Sequence, residues 1–305
     1  MLKKSLWIIP LLFCTNLLAQ TADSSSTPPP SFAINLGIKN HGISIGNSRN
    51  WTGIRLNFKD QYVEEINGLN VTLWKAGKNP DAVINGVALG ILGPEAKELN
   101  GFALGFGVAA RSISGTSIGI LGLGADNISG FAFGGLGIGC STFHGIGIGG
   151  LGIGGNDMRG LFIGGLGFGG DTIHGVGIAG LGMGGEDLKG IFLAGLGLGG
   201  NKVSGFAASL LGIGGNKLSG VAISGFGIGG SKLEGIFLTG VFLKADQLKY
   251  FGAAGYVKAK EMTGVSIGIL NIANKLNGIQ IGAINIAKNN PWPFKVLPFM
   301  NVHLK

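Results

Sequence analysis

The chain has 305 residues, of which 62 are Gly, 12% are charged and 45% hydrophobic, with a formal net charge of +8. Only 9 Pro and no glycine at every third position exclude collagen, and high hydrophobicity with low charge excludes a disordered chain. A packed enzyme domain of this size normally carries about twice this share of charge.

Residues 1–19 read as a secretory signal: Lys3 and Lys4 form a basic start, residues 6–13 an apolar run too short to span a bilayer, and Ala19 a small residue for cleavage before Gln20. Lipidation at Cys14 is the alternative, but Phe13 stands where a small residue is wanted. The mature chain keeps one cysteine, Cys140, so no disulfide can form within it. Residues 20–31 are polar and Pro-rich, a flexible leader. No stretch reads as an ordinary transmembrane helix.

Residues 32–85 hold strand-like runs at 32–38, 42–46, 52–58 and 69–74, with more charge than the centre, and are expected to form an N-terminal β cap.

A glycine-rich repeat array follows over 86–289. Gly115, Gly130, Gly145, Gly160, Gly175, Gly190, Gly205, Gly220 and Gly235 stand 15 residues apart. Tyr250 then takes the glycine place, and Gly264 and Gly278 follow at 14-residue steps. With this glycine as position 1, positions 2, 4, 7, 9 and 14 are apolar, as in Ile146, Ile148, Leu151, Ile153 and Met158. Two stretches alternate with period 2, as short strands do, and a glycine pair such as Gly149-Gly150 separates them as a corner would. From residue 101 to 240 every charged residue, among them Asp157, Arg159, Asp171 and Lys189, falls in positions 11–15.

Two architectures fit. In a β-solenoid each repeat is one coil of three short sides, with positions 2, 4, 7, 9 and 14 pointing inward and position 3 outward. In an antiparallel barrel or sheet each repeat is one strand of about ten residues plus a turn, the length that spans an outer membrane. Three features favour the solenoid. The alternation slips within every repeat, position 14 is apolar where a hairpin turn would lie, and all the turns form one class although barrel turns face opposite sides of a membrane.

Residues 290–305 break the repeat with Pro291, Pro293 and Pro298 and read as a C-terminal cap. Just before them, residues 264–290 run GVSIGILNIANKLNGIQIGAINIAKNN. This pattern resembles the exported surface-repeat proteins of Leptospira and Bacteroidetes-type bacteria, and the central GIGGLGIGG units resemble a glycine-rich branch of them. The resemblance implies an exported, envelope-associated repeat protein and carries over no site residue.

Tests for chemistry give no catalytic, cofactor-binding or metal-binding residues. GxGxxG at Gly147, Gly149 and Gly152 follows from composition and lacks a βαβ setting. A calcium ladder needs oxygen ligands on successive turns, but Asp171, Glu186 and Asp187 give way to Lys202, Lys217 and Lys232. His144 and His174 sit two repeats apart, too far to share a metal. Position 3 runs Gly147, Phe162, Gly177, Phe192, Ala207 with no threonine row for ice. Lys202, Lys217 and Lys232 share position 13 and form a basic stripe suited to envelope polysaccharide, lipid or another envelope protein; without interleaved aromatics it does not suit nucleic acid. The expectation is a non-enzymatic exported repeat protein of a Gram-negative envelope, with an outer-membrane barrel serving as pore or anchor as the alternative.

Overall fold

The computed structural model describes residues 31–304. The signal segment, Cys14 and the leader up to residue 30 lie outside the described residues. Among these there are seventeen strands and no helix: β1 (Ala33–Ile38), β2 (His41–Gly46), β3 (Asn50–Asn57), β4 (Glu65–Thr72), β5 (Val83–Gly90), β6 (Glu95–Gly134), β7 (Gly137–Gly149), β8 (Gly152–Gly164), β9 (Gly167–Ala179), β10 (Gly182–Ala194), β11 (Gly197–Ser209), β12 (Gly212–Ser224), β13 (Gly227–Thr239), β14 (Phe242–Ala253), β15 (Tyr256–Ile267), β16 (Leu270–Ala287) and β17 (Val296–His303). Two compact units divide between Cys140 and Ser141.

Each unit is a β-solenoid. In the second, β8 to β16 pair in sequence, every one parallel and in register, so that Met183 lies beside Phe168 and Leu198, and Gly190 beside Gly175 and Gly205. In the first, β2 to β6 do the same, from Gly42 beside Gly53 to Gly86 beside Gly101. Parallel coils therefore already run through residues 41–90. The antiparallel barrel does not survive this pairing: alongside the parallel pairings given above, antiparallel contacts occur at β1–β2 and β16–β17, the first and last strands described.

One 15-residue coil per repeat is what the sequence led us to expect, but its inside and outside are not. The bend that interrupts each strand falls at positions 6–7, as at Gly150-Leu151 and Gly165-Leu166, one residue later than the glycine pair suggested. Positions 3, 5, 9 and 14 point inward. Phe162, Phe192 and Phe237 at position 3 are 0% exposed, with Ala207 and Ala222 in the same buried row. Positions 2, 4 and 7, expected inside, face outward: Ile191, Leu193 and Leu196 are all exposed. The cause is the narrow interior. A row that admits Phe in one coil and Gly in the next is filled by interlocking volumes rather than by a uniform apolar ladder. At Gly177 a Cβ would lie 2.2 Å from the Phe168 ring and 3.0 Å from that of Phe192. Position 5 is confined to small residues, with Ser209 donating from Oγ to the Gly212 carbonyl at 2.9 Å.

Position 1 needs glycine for a different reason. Gly160, Gly175 and Gly190 have φ of 137°, 136° and 141°. A Cβ at Gly175 would stand 2.0 Å from the carbonyl oxygen of Gly160 in the coil before. Tyr250, the one side chain in this row of the second unit, is accommodated at φ 81°. Where the step drops to 14 residues, the missing residue comes out of the bend, and Tyr250 still pairs with Gly264.

Gly175→Ala is expected to cost at least about 1–2 kcal/mol from backbone conformation alone, before the clash is counted. Gly154→Ala, where a Cβ meets nothing within 4 Å, should change stability by less than about 0.5 kcal/mol. Thermal unfolding followed by circular dichroism measures both.

Candidate interaction surface

Two rows of apolar side chains cover the side formed by positions 2 to 4. Along β9 to β13, position 2 carries Val176, Ile191, Phe206, Val221 and Ile236, each beside the next across a parallel pair. Position 4 carries Ile178, Leu193, Ala208, Ile223 and Leu238 in the same way. At the bend, position 7 forms a ridge in which Leu166, Leu181 and Leu196 are 50%, 48% and 45% exposed. Beyond the ridge, the outward position 10 is glycine from Gly154 to Gly229, so that side presents backbone. The β17 strand extends the apolar side, with Met300 beside Ile281 and Val302 beside Ile279. In the first unit Ile34 lies beside Ile45 and Leu36 beside Ile43, all four exposed. Exposed apolar patches beyond a few hundred Å² mark interaction sites in soluble proteins.

The third side holds the charge. Lys202, Lys217 and Lys232 stand in register at position 13, as their spacing predicted. The stripe is partly neutralised: Glu234 lies 3.1 Å from Lys232, 3.0 Å from Lys249 and 3.8 Å from Lys217. Hydrogen bonds from Lys249 and Lys232 hold the Glu234 carboxyl below its ordinary range. Arg159 and Asp157 pair at 3.1 Å. His144 and His174 stay in position 15 of separate coils, and among the described residues no group of three His, Cys, Asp or Glu is placed to hold a metal. Cys140 is half-buried. Position 3 is internal, and the outward rows 2 and 4 of β9 to β13 carry no threonine.

Sequence reasoning missed two buried polar clusters. In the first unit Arg55 takes position 3 and is 0% exposed. It donates to Asp60 Oδ1 and Asn70 Oδ1 at 2.6 Å, to Asn47 Oδ1 at 2.9 Å and to the Ser48 carbonyl at 3.0 Å. Burial pushes the Asp60 carboxyl up, but the Arg55 charge and hydrogen bonds from Thr72, Asn57 and Arg55 together bring it below its ordinary value. In the second unit Asn271 donates to Asn285 Oδ1 at 2.8 Å, and Asn290 to Asn301 Oδ1 at 2.7 Å. A charged residue two places after the recurring glycine, as in Gly53-Ile54-Arg55, was the available signal. It could be read only once position 3 was known to face inward.

A shallow apolar depression lies beside the ridge where the 14-residue coils begin, lined by Leu238, Thr239, Gly240, Ala253, Gly255 and Ile267. It is the place where the bend loses a residue and the ridge dips.

No family model, curated protein or solved structure matches the chain.

Two outcomes are expected. Phe192→Ala should cost about 3–5 kcal/mol, whereas Leu196→Ser should cost less than about 0.5 kcal/mol, as read from denaturant midpoints; the reverse order would put position 7 inside and position 3 outside. Because Asp60 is lowered in the folded state, its contribution is complete above the ordinary carboxylate range and is lost as pH falls through its depressed value. The protection of amides in β3 and β4, taken relative to their intrinsic exchange rates, should therefore fall at acid pH, and Asp60→Asn should remove that acid step.

Proposed function

We propose that this chain is a non-enzymatic, exported repeat protein that acts as a structural or interaction element of a Gram-negative cell envelope, and that it works through its uncharged outer rows. One observation carries the reading: in the second unit up to residue 240, positions 2, 4 and 7 are apolar and outward-facing, while charge is gathered on the remaining side. A coil with no partner has no use for exposed Ile and Leu rows beside a core that is already filled. Export is supported by the signal-like residues 1–19 and by the resemblance of residues 264–290 to exported surface-repeat proteins. A pore or anchor built as a barrel would need antiparallel neighbours, and β2 to β6 and β8 to β16 pair parallel.

Fractionation of the full chain, made with its own residues 1–19 in a Gram-negative host, tests this. Recovery outside the cytoplasm with Gln20 as the new N-terminus, and no shift of the folded band on boiling, is the expected result. Retention in the cytoplasm with residues 1–19 attached would overturn the reading.

A further inference from the structure

We infer that the occupant of the uncharged outer rows is the acyl region of a lipid bilayer, entered by the position-7 leucine ridge. The inference rests on the envelope reading above and names the partner that reading leaves open.

The first argument is the cross-section of the coil. Its corners fall at the glycine of position 1, at the bend of positions 6–7, and at position 12, where the parallel register skips a residue between Gly185 and Asp187. The ridge corner therefore lies opposite the side of positions 13–15, which holds the lysine stripe. In the second unit both sides that meet at the ridge are uncharged up to residue 240. Such a wedge, apolar at the apex and charged at the base, has the polarity of an element that lies in a membrane interface with one edge buried.

The second argument is the backbone at the apex. Hydrocarbon solvates no peptide group, so whatever enters it must satisfy its own N–H and C=O groups. The bend does so from coil to coil. Leu181 N donates to Leu166 O at 2.7 Å, Leu196 N to Leu181 O at 2.6 Å and Gly197 N to Leu181 O at 3.1 Å. An ordinary surface turn would bring unpaired donors with it; this one does not.

The third argument separates lipid from a protein partner. A specific protein interface carries about one hydrogen bond per 100–200 Å² and a polar rim. Rows 2, 4 and 7 of β9 to β13 offer no polar side chain. They also repeat at every coil, so a second copy or another sheet could slide by one coil, about 4.8 Å, and meet nearly the same surface. Register is weakly specified on such a face, whereas a fluid apolar phase requires none. Basic side chains lie on the wedge where headgroups would lie: Lys244 and Lys258 stand side by side at position 10, whereas Lys249 near the opposite rim is paired with Glu234. Each such cation is attracted to an anionic leaflet.

The test uses the full chain without its signal, floated with mixed phosphatidylethanolamine–phosphatidylglycerol vesicles. The wild type is expected to float and to remain bound in high salt. The triple variant Leu166→Ser, Leu181→Ser, Leu196→Ser alters only half-exposed side chains. It should keep the thermal unfolding curve and bind about tenfold less. Leu181→Trp should be quenched by lipids brominated on the acyl chain. Absence of flotation, equal flotation of wild type and triple variant, or a bound Leu181→Trp chain that acyl bromine does not quench would each overturn the inference. So would a wild-type dimer that ignores vesicles and is dispersed by the triple variant, which would make a second copy the occupant. Cell fractionation separates the two readings. An exported protein that fails to float sinks the lipid partner alone, and cytoplasmic retention sinks the envelope reading whatever the vesicles show.

Discussion

Close approach of successive backbones at position 1 is the constraint on which the coils depend. Glycine at φ near 136–141° brings each coil so near the last that a Cβ at Gly175 or Gly190 would stand 2.0 or 1.8 Å from a carbonyl oxygen. That contact locks the register, because sliding by one residue would set a side chain against a carbonyl. With the register fixed, every other position stacks on its equivalent, and each coil inherits the packing of its neighbours. The shortened coils after Tyr250 show the order of priority: the position-1 pairing is kept and the bend gives up a residue.

Register turns a small interior into a volume problem. Positions 3, 5, 9 and 14 share a narrow space, and each coil solves it differently. A Gly at position 3 leaves room for the Phe168 ring near Gly177, and the Phe143 and Phe162 rings meet edge to face at 5.1 Å beside Gly147. Ser266 Oγ and both amide atoms of Gln280 are buried in the same interior without a hydrogen-bond partner, whereas other polar residues there satisfy one another. Arg55 and Asp60 do this with Asn47, Asn57, Asn70 and Thr72. Asn271 and Asn285 do it by bonding from coil to coil. Removing one member of a buried charged pair leaves its partner uncompensated, at a cost of about 3–5 kcal/mol, so these clusters tie the coils that hold them to one arrangement.

The outer surface follows from the same geometry. Once positions 3 and 5 take the core, the flanking apolar positions 2 and 4 have nowhere to point but outward, and the ridge at position 7 lies on the corner between two uncharged sides. Apolar residues in excess of what the core can hold therefore lie on the surface. They give the envelope reading and the lipid inference one shared physical origin.

The 15-residue period, the all-β class, the parallel stacking of equivalent positions and the gathering of charge at positions 11–15 were legible in the residues, because glycine spacing and charge placement repeat without ambiguity. Which apolar row faces the core was decided only by the fold. Hydrophobicity does not distinguish the two faces of a strand when both are apolar, and burial is a one-way rule that lets large aliphatic residues lie outside. The parity of the alternation depends on where the chain bends, and Gly149-Gly150 pointed to a place one residue before the bend. That single residue moved Leu151 and its row from the core to the surface, and with it the candidate site from the lysine stripe to the leucine ridge.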